Sequence, residues 1–210
     1  LITTPSWTWH DHYNNGDRPV IWLDGLDVRL VGIGRMLGEE FSKDQQPREK
    51  AIGFSGKTLG HVKPSWLKSE HRTPPFRYPW ADTWETLQAL RESEVEPDPY
   101  DGYHLTYTHP VTGGPTLPTF ACELQLLPSK LTTESHRHVS STIYQVFRGS
   151  GTTVIDGERL EWSQGDIFVV PPWKWHHHEN QAEGDAILFS MDDWPSLEAL
   201  GLYREEVKSS

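Results

Sequence analysis

A segment of 14 residues occurs twice in this chain, and the repeat limits the folds that the chain can adopt. Residues 1–14 read LITTPSWTWHDHYN, and residues 167–180 read IFVVPPWKWHHHEN. Each copy contains a short apolar run, a proline and a Trp-x-Trp-His turn. Such a repeat is typical of two copies of one structural unit. The second copy follows the rest of its unit, whereas the first copy stands at residue 1, so we expect the chain to begin inside its first unit.

Short strands separated by turn residues predict an all-β domain in the second half of the chain. The predicted strands are residues 103–108, 119–127, 141–148, 152–155, 158–162, 166–170 and 185–191. The Asp-Gly pair between the fourth and fifth strands is a strong hairpin signal. Strands of this length and spacing indicate a β-sandwich or a barrel. We expect its interior to be lined in part by Phe120, Leu124, Ile143, Val146, Val154, Phe168 and Val170.

Changes of composition along the chain predict four segments. We expect residues 1–30 to form the end of a first β-domain and residues 103–193 to form a second one. The intervening residues 31–102 contain many glycines and prolines, and we interpret them as an interdomain connection with one helix. Residues 194–210 are expected to form a C-terminal helix and tail.

Capping residues locate the two predicted helices. The first helix is expected over residues 83–93, because Asp82 is followed three positions later by a glutamate, which is the spacing of a capping box. Residues 94–101 are acidic, contain two prolines and are expected to be a linker. The second helix is expected to be capped by Asp193 and to end at Gly201.

Charge and cysteine content exclude several classes of function. The formal net charge of −11 argues against non-specific binding to nucleic acids. The single cysteine, Cys122, excludes an internal disulfide framework and fits a reducing compartment. The chain has no apolar run near the roughly 20 residues that span a membrane, and its first residues do not resemble a signal peptide. We therefore expect a cytoplasmic protein without a nucleic-acid or membrane partner.

Three histidines have a spacing that predicts a metal site. His136 and His138 lie two positions apart at the start of a predicted strand, so their side chains project from the same face. His176 follows two hairpins later, and antiparallel strands that close into a barrel can bring it beside the pair. Three neutral imidazoles leave positions open on a metal ion, which a catalytic site requires.

The repeat narrows the choice of the third ligand without deciding it. His176 aligns with His10, whereas His177 aligns with an aspartate and is disfavoured. His178 aligns with His12 and remains an alternative ligand.

Several motifs resemble those of a known family. The spacing G-x5-P-x4-H-x3-N at residues 165–180 resembles the second cupin motif, and H-x-H at residues 136–138 resembles the first. The glutamate that usually follows H-x-H in cupins is absent, because residues 139–142 read VSST. This absence and the segments TPSWTWHDH, VIWLDGLD, VVPPWKWHHHEN and LEALGLYRE resemble the gentisate 1,2-dioxygenase family of bicupins, which also contains salicylate and 1-hydroxy-2-naphthoate dioxygenases.

The resemblance implies a fold and an activity. The fold would be a cupin, a double-stranded β-helix or jelly-roll barrel, and the chain would be the C-terminal portion of a bicupin with its first cupin incomplete at the N-terminus. The activity would be that of an Fe(II)-dependent oxidoreductase that uses O₂ to cleave the ring of a hydroxylated aromatic acid such as gentisate. The family also implies a homotetramer.

The resemblance further implies roles for individual residues. His10 matches the third ligand of the catalytic iron in the first cupin, whose H-x-H pair would lie upstream of residue 1. His12 and Asp24 match groups beside the substrate, where an imidazole can hydrogen-bond a phenolate and a carboxylate can orient it. The group of histidines in the second cupin would hold a second metal or be a remnant of one.

Other functions remain open at the level of the sequence. One is a metal-dependent cupin isomerase, or a dioxygenase for a non-aromatic substrate. Another is a non-catalytic cupin that binds a ligand or a metal or mediates oligomerisation. A third is an inactive fragment of the dioxygenase.

Overall fold

The structure, a computed structural model, describes residues 1–4, 10, 12–28, 30, 65–66 and 76–208. The chain divides into two compact units, Leu1–Trp84 and Glu85–Ser210. In the first unit, the apolar run that opens the chain forms a single antiparallel bridge between Ile2 and Arg77. Most of the predicted interdomain connection lies outside the described residues, and the predicted division into four segments stays a prediction.

The first predicted helix is present but begins earlier than expected. Helix α1 (Trp80–Glu92) starts directly after Pro79, whose carbonyl accepts from the Thr83 amide at 3.4 Å. Asp82 is therefore not the cap but lies in the first turn, where its negative charge interacts favourably with the helix dipole. Leu87, within this helix, is fully buried. No helix within the described residues is both long and apolar enough to cross a membrane.

Ten strands in the described residues form two antiparallel sheets, which confirms the predicted all-β jelly-roll cupin fold. They are β1 (Tyr103–Thr106), β2 (Ala121–Leu127), β3 (His136–His138), β4 (Thr142–Arg148), β5 (Ser150–Ile155), β6 (Glu158–Ser163), β7 (Ile167–Val170), β8 (His176–Glu179), β9 (Ala186–Asp192) and β10 (Glu205–Val207). One sheet has the order β1-β2-β9-β4-β7 and the other has the order β10-β3-β8-β5-β6. The second sheet therefore carries all three histidines of the predicted site.

The hydrophobic core of the second unit confirms part of the predicted interior. Its buried members are Leu127, Tyr144, Val146, Trp162, Phe168, Val170, Ala186 and Leu188, and Leu124 is also buried. Ile143 was placed in the interior wrongly, because its side chain is 38% exposed. Alternate residues of a strand face opposite sides, so Ile143 and Val146 cannot both point inward. The inward face of β4 is that of Tyr144 and Val146.

A buried hydroxyl replaces the expected valine on β5. Thr153 is fully buried, whereas the neighbouring Val154 is only partly buried. The Thr153 hydroxyl accepts from Trp162 Nε1 at 2.9 Å and lies 2.9 Å from His178 Nδ1. Because a buried hydroxyl costs free energy unless it is paired, these two bonds make the polar side chain compatible with the core.

The end of the predicted linker is a closed turn. The amide of Asp98 donates to the carbonyl of Gly102 at 2.8 Å, and the Gly102 amide donates back at 2.9 Å. The Asp98 carboxylate accepts from the amides of Tyr100 and Asp101 at 2.8 and 3.0 Å. Gly102 has φ +72°, and a Cβ there would lie 2.7 Å from the carbonyl oxygen of Leu126. The turn therefore requires glycine at position 102, and the other side chains of the turn lie beside β2.

Asp101 occupies this turn with its carboxyl group directed inward. The residue as a whole is half-buried, but its carboxylate accepts from the side-chain amide of the buried Gln125. Burial raises the pKa of Asp101 to about 6, against the opposing charge of His104. The proton is therefore bound more tightly in the folded than in the unfolded protein.

The C-terminal segment contains a strand that the sequence did not predict. Helix α2 (Trp194–Ala199) ends as expected at Gly201, which has φ +70°. The Asp193 side chain does not cap the helix and instead accepts from the Ser141 amide at 2.8 Å. The chain then returns as β10 and pairs with β3. Its sequence, Glu-Glu-Val, has no apolar alternation, so only the pairing reveals it.

Gly151 makes the closest backbone approach to the core. A Cβ at this position would lie 2.4 Å from Cη2 of Trp162 and 2.6 Å from the carbonyl oxygen of Glu179. Glycine is therefore the residue that lets the Trp162 ring pack on β5.

We expect Gly151→Ala to destabilise the second unit by about 1–3 kcal/mol, as overpacking of a filled core does. Gly184→Ala is the matched control, because a Cβ at Gly184 meets no atom within 4 Å. Chemical denaturation of the three proteins measures the difference. Equal stability of the two variants would contradict the packing argument.

We expect Asp101→Asn to stabilise the protein in a pH-dependent way. In the wild type, the raised pKa of the Asp101 carboxyl group contributes stability that is complete below about pH 3.8 and is lost as the pH rises through about 6. Asparagine keeps the acceptor oxygen without the buried charge. The free energy of unfolding of the variant minus that of the wild type should rise from near zero at pH 4 to at most about 3 kcal/mol above pH 7. A difference independent of pH would contradict this account.

Candidate metal centre

Three histidine rings converge on one point of the second unit. His136 and His138 lie two positions apart on β3, and both side chains point inward. His176 on β8 is the direct partner of His136 in the ladder. One ring nitrogen from each of the three lies within 4.8 Å of the others, and all three residues are buried. The Nε2 atoms of His136 and His176 are 2.8 Å apart. The structure thus brings together the three histidines that the sequence grouped in this domain.

The Trp-x-Trp-His turn places β8 against β3. Trp173 has φ +63°, and its amide donates to the carbonyl of His138 at 2.7 Å. The carbonyl of Trp175 accepts from the amide of Asp156 at 2.8 Å, which attaches the turn to the β5–β6 hairpin. These bonds bring the turn to the end of the H-x-H strand, so His176 enters the sheet beside His136.

Hydrogen bonds on the outer side of two rings determine which nitrogen faces the centre. Nδ1 of His176 lies 3.0 Å from the carbonyl oxygen of Lys174, and Nδ1 of His138 lies 3.1 Å from that of Ser140. A carbonyl oxygen only accepts, so both Nδ1 atoms carry the proton. The lone pairs of these rings are therefore on Nε2.

A buried carboxylate extends the contacts of His138. The Ser140 hydroxyl lies 2.7 Å from Nδ1 of His138 and donates to Asp192 Oδ2 at 3.2 Å, and the Thr142 hydroxyl donates to the same oxygen. Chains of this kind orient ligand histidines and raise their basicity.

The electrostatics of two of the three rings, those of His136 and His176, fit a cation. Burial, followed by the neighbouring histidines, lowers the pKa of His136 to about 3, and the same causes lower the pKa of His176 to about 3. Both rings are therefore neutral at neutral pH. Two nitrogen ligands at about 2.1 Å from one ion and at right angles to each other lie about 3 Å apart. The Nε2 separation and the neutral donors thus suit a divalent metal ion bound by three nitrogens.

The alternative ligand, His178, lies outside this group. It is fully buried, its Nδ1 is 2.9 Å from the Thr153 hydroxyl, and its ring packs edge-on against Tyr144 at 5.1 Å. Burial lowers its pKa well below the usual value. His177 faces the other side of β8 and lies 3.3 Å from Glu179. The geometry therefore makes His178 a core residue and His177 a surface one.

A polar cavity of about 430 Å³ opens beside the histidines. Its described lining contains six carboxylate residues, namely Asp98, Asp101, Glu123, Asp192, Glu198 and Glu205. Burial lowers the pKa of His104, but the hydrogen bond and charge of Glu123 outweigh it and raise the value overall. Gln125 Oε1 is buried without a hydrogen-bond partner among the described residues. The cavity therefore favours cations and hydrogen-bond donors.

Two residues of this site were missed by sequence reasoning. Tyr100 stacks on His136, with ring centroids 5.4 Å apart and an interplanar angle of 6°. Glu205 approaches the same ring from β10. Tyr100 lies in a predicted linker and Glu205 in a predicted tail, and neither segment had a pattern that indicates a site.

In the first unit, two of the three predicted catalytic residues are neighbours. The rings of His10 and His12 have centroids 5.6 Å apart, and His12 stacks on Trp22 at 4.6 Å. Both histidines and Asp24 are exposed. Asp24 makes no hydrogen bond with another described residue. The predicted roles of these residues stay predictions.

Known proteins share this fold and much of this sequence. Residues 123–192 match the cupin domain. The 5-aminosalicylate 1,2-dioxygenase of a Comamonas species is 42% identical over 98% of this chain and 55% of its own length. The gentisate 1,2-dioxygenase of a Haloferax species is 41% identical over 98% of this chain and 60% of its own length. The chain thus spans little more than half of these relatives.

A solved structure is also similar to this chain. A salicylate 1,2-dioxygenase variant from Pseudoaminobacter salicylatoxidans superposes with a TM-score of 0.73 at 30% identity, over 94% of this chain and 57% of that one. Two antiparallel sheets, a cupin match and sequence identity over nearly the whole chain agree with one another. Residues 123–192 thus belong to the cupin domain family, and nearly the whole chain is similar to gentisate, salicylate and 1-hydroxy-2-naphthoate dioxygenases.

Proposed function

We propose that this chain is part of an Fe(II)-dependent ring-cleaving dioxygenase, which uses O₂ to open a hydroxylated aromatic acid such as gentisate. The observation that carries the proposal is the 42% and 41% identity of the chain to relatives named as 5-aminosalicylate and gentisate dioxygenases. The convergence of His136, His138 and His176 supports a metal ion in the second cupin. A cytoplasmic homotetramer that degrades aromatic compounds is part of the same proposal.

The chain's own residues provide a neutral, oriented set of donors. Fe(II) held by three histidines would bind the hydroxy acid and O₂ and would pass electron density between them. The backbone carbonyls of Lys174 and Ser140 hold the protons of two rings on Nδ1, away from the centre. Because the ligands are neutral, the ion keeps its positive charge for an anionic aromatic acid.

Ring cleavage is assigned to the first cupin, with His10 as a metal ligand. His12, beside His10, would hydrogen-bond the phenolate of the substrate, and Asp24 would orient the bound groups. The repeated Trp-x-Trp-His motif supports this assignment, because His10 corresponds to His176 when the two copies are aligned.

The cavity favours a second candidate function for the second cupin, metal binding without ring cleavage. Six carboxylate residues line the described part of the cavity beside the histidines. An aromatic acid would bring a further negative charge into this space, whereas a metal cation would be attracted. The second centre would then support the fold or the assembly of the dioxygenase.

We expect His176→Ala to weaken metal binding at the second centre by more than about 100-fold, because loss of a ligand should exceed the roughly 10–100-fold effect of groups that only orient ligands. His177→Ala is the matched control, since His177 is the next residue on β8 but faces away from the centre. Anaerobic titration with Fe(II), followed by metal analysis, measures both variants. Equal affinity of the two would reject the three-histidine site.

We expect His10→Ala to abolish iron binding at the first cupin and gentisate-dependent O₂ consumption, in a protein whose first cupin is complete. His12→Ala and Asp24→Ala should keep the iron but slow turnover by about 10–100-fold, because they act through bound groups. His136→Ala provides the comparison, since it removes a ligand of the second centre alone. If His136→Ala abolishes ring cleavage and His10→Ala does not, the catalytic site lies in the second cupin.

A further inference from the structure

The C-terminal strand brings a carboxylate to the face of β3 that carries the histidines. In the β3–β10 ladder, Glu205 is paired with His138 and Val207 with His136. Paired residues of an antiparallel ladder project from the same face, and their diagonal neighbours lie within reach. Glu205 therefore faces both histidines, whereas Glu206 faces the opposite side.

Glu205 contacts the one ligand ring that lacks a backbone partner. Its Oε1 lies 3.3 Å from Nδ1 of His136, and its Oε2 accepts from the Tyr203 hydroxyl at 3.3 Å. This contact does not have the geometry of a hydrogen bond. Nδ1 of His136 is therefore a buried atom without a hydrogen-bond partner among the described residues. His138 and His176, in contrast, each have a carbonyl acceptor at Nδ1.

Neither neutral form of His136 satisfies both of its neighbours. A proton on Nε2 would serve His176, 2.8 Å away, but would leave the Nδ1 lone pair 3.3 Å from a negatively charged oxygen of Glu205. A proton on Nδ1 would suit Glu205 but would leave two Nε2 lone pairs facing each other. A cation shared by the two Nε2 atoms removes this conflict, and the carboxylate then favours the form of His136 that binds it.

We propose that Glu205 is a positioning residue of the metal centre, which holds the proton of His136 on Nδ1 and thereby directs its Nε2 to the metal. The inference rests on the proposed metal site at His136, His138 and His176. It makes the affinity of the centre depend on the C-terminal strand. Carboxylates that accept from ligand histidines raise metal affinity in this way.

Contacts on the outer face attach β10 independently of Glu205. Arg137 donates to Glu206 Oε2 from Nε at 3.0 Å and from Nη2 at 2.6 Å. The Arg137 guanidinium also lies over the rings of Trp173 and Trp175, at 4.3 and 4.6 Å from their centroids. A substitution of Glu205 should therefore change the inner face of the strand without releasing it from β3.

The test compares Zn²⁺ affinity among Glu205→Ala, Glu205→Gln and the wild type, with a competing chelator at neutral pH. We expect Glu205→Ala to weaken binding by about 10–100-fold and Glu205→Gln to weaken it less, because the amide oxygen still accepts but carries no charge. Glu198→Ala is the matched control, since it removes another carboxylate from the cavity wall. His136→Ala measures any Zn²⁺ bound elsewhere on the chain.

Two further measurements separate positioning from a structural role. The apo forms of the Glu205 variants should unfold at the same temperature as the wild type, and imidazole-nitrogen NMR of the Zn²⁺-bound wild type should show the His136 proton on Nδ1. Wild-type affinity in Glu205→Ala, or an equal loss in Glu198→Ala, would overturn this inference alone. Wild-type protein that binds Zn²⁺ no better than His136→Ala would overturn the metal site as well.

Discussion

The contact between His136 and His176 is the constraint on which the rest of the site depends. Their Nε2 atoms are 2.8 Å apart, and the two residues are the one pair in the described β3–β8 ladder. So short a ladder cannot align two strands by itself. The Trp-x-Trp-His turn on one side and β10 on the other hold β3 in place, through the bond from Trp173 to His138 and the ion pair of Arg137. The cluster of three histidines is therefore stabilised by contacts outside it.

Burial of so many polar groups is compatible with a stable fold because nearly every one has a defined partner. Thr153 joins Trp162 to His178 inside the core, and Ser140 joins His138 to Asp192 beside the centre. A buried polar atom without a partner costs about 1–3 kcal/mol. Among the described residues, five buried side-chain atoms have no hydrogen-bond partner, namely Gln88 Nε2, His104 Nε2, Gln125 Oε1, His136 Nδ1 and His178 Nε2. Three of the five residues, His104, Gln125 and His136, line the cavity.

Structural features that depend on neighbouring residues could be predicted from the sequence. Features that depend on residues far apart in the chain could not. Strand alternation and an Asp-Gly hairpin located most strands of the second unit, because both depend on neighbouring residues. The predicted interior position of Ile143 is wrong, because apolar character alone does not show which face of the strand a residue occupies. The sequence does not predict β10, because its residues become a strand only by pairing with His136–His138. The composition of the turn before β1 predicts a linker, because closure of the turn depends on Gly102 packing on β2.

The sequence alone was sufficient to predict the jelly-roll fold and the grouping of His136, His138 and His176, because a repeated turn and an H-x-H strand have few structural solutions. It could not choose between His176 and His178, since residues two apart on a strand share one face. In the tertiary structure His176 meets His136, whereas Thr153 and Tyr144 enclose His178 in the core. Tertiary structure alone also brought Tyr100 and Glu205 to the His136 ring, since contacts across distant segments exist only after the two sheets have closed.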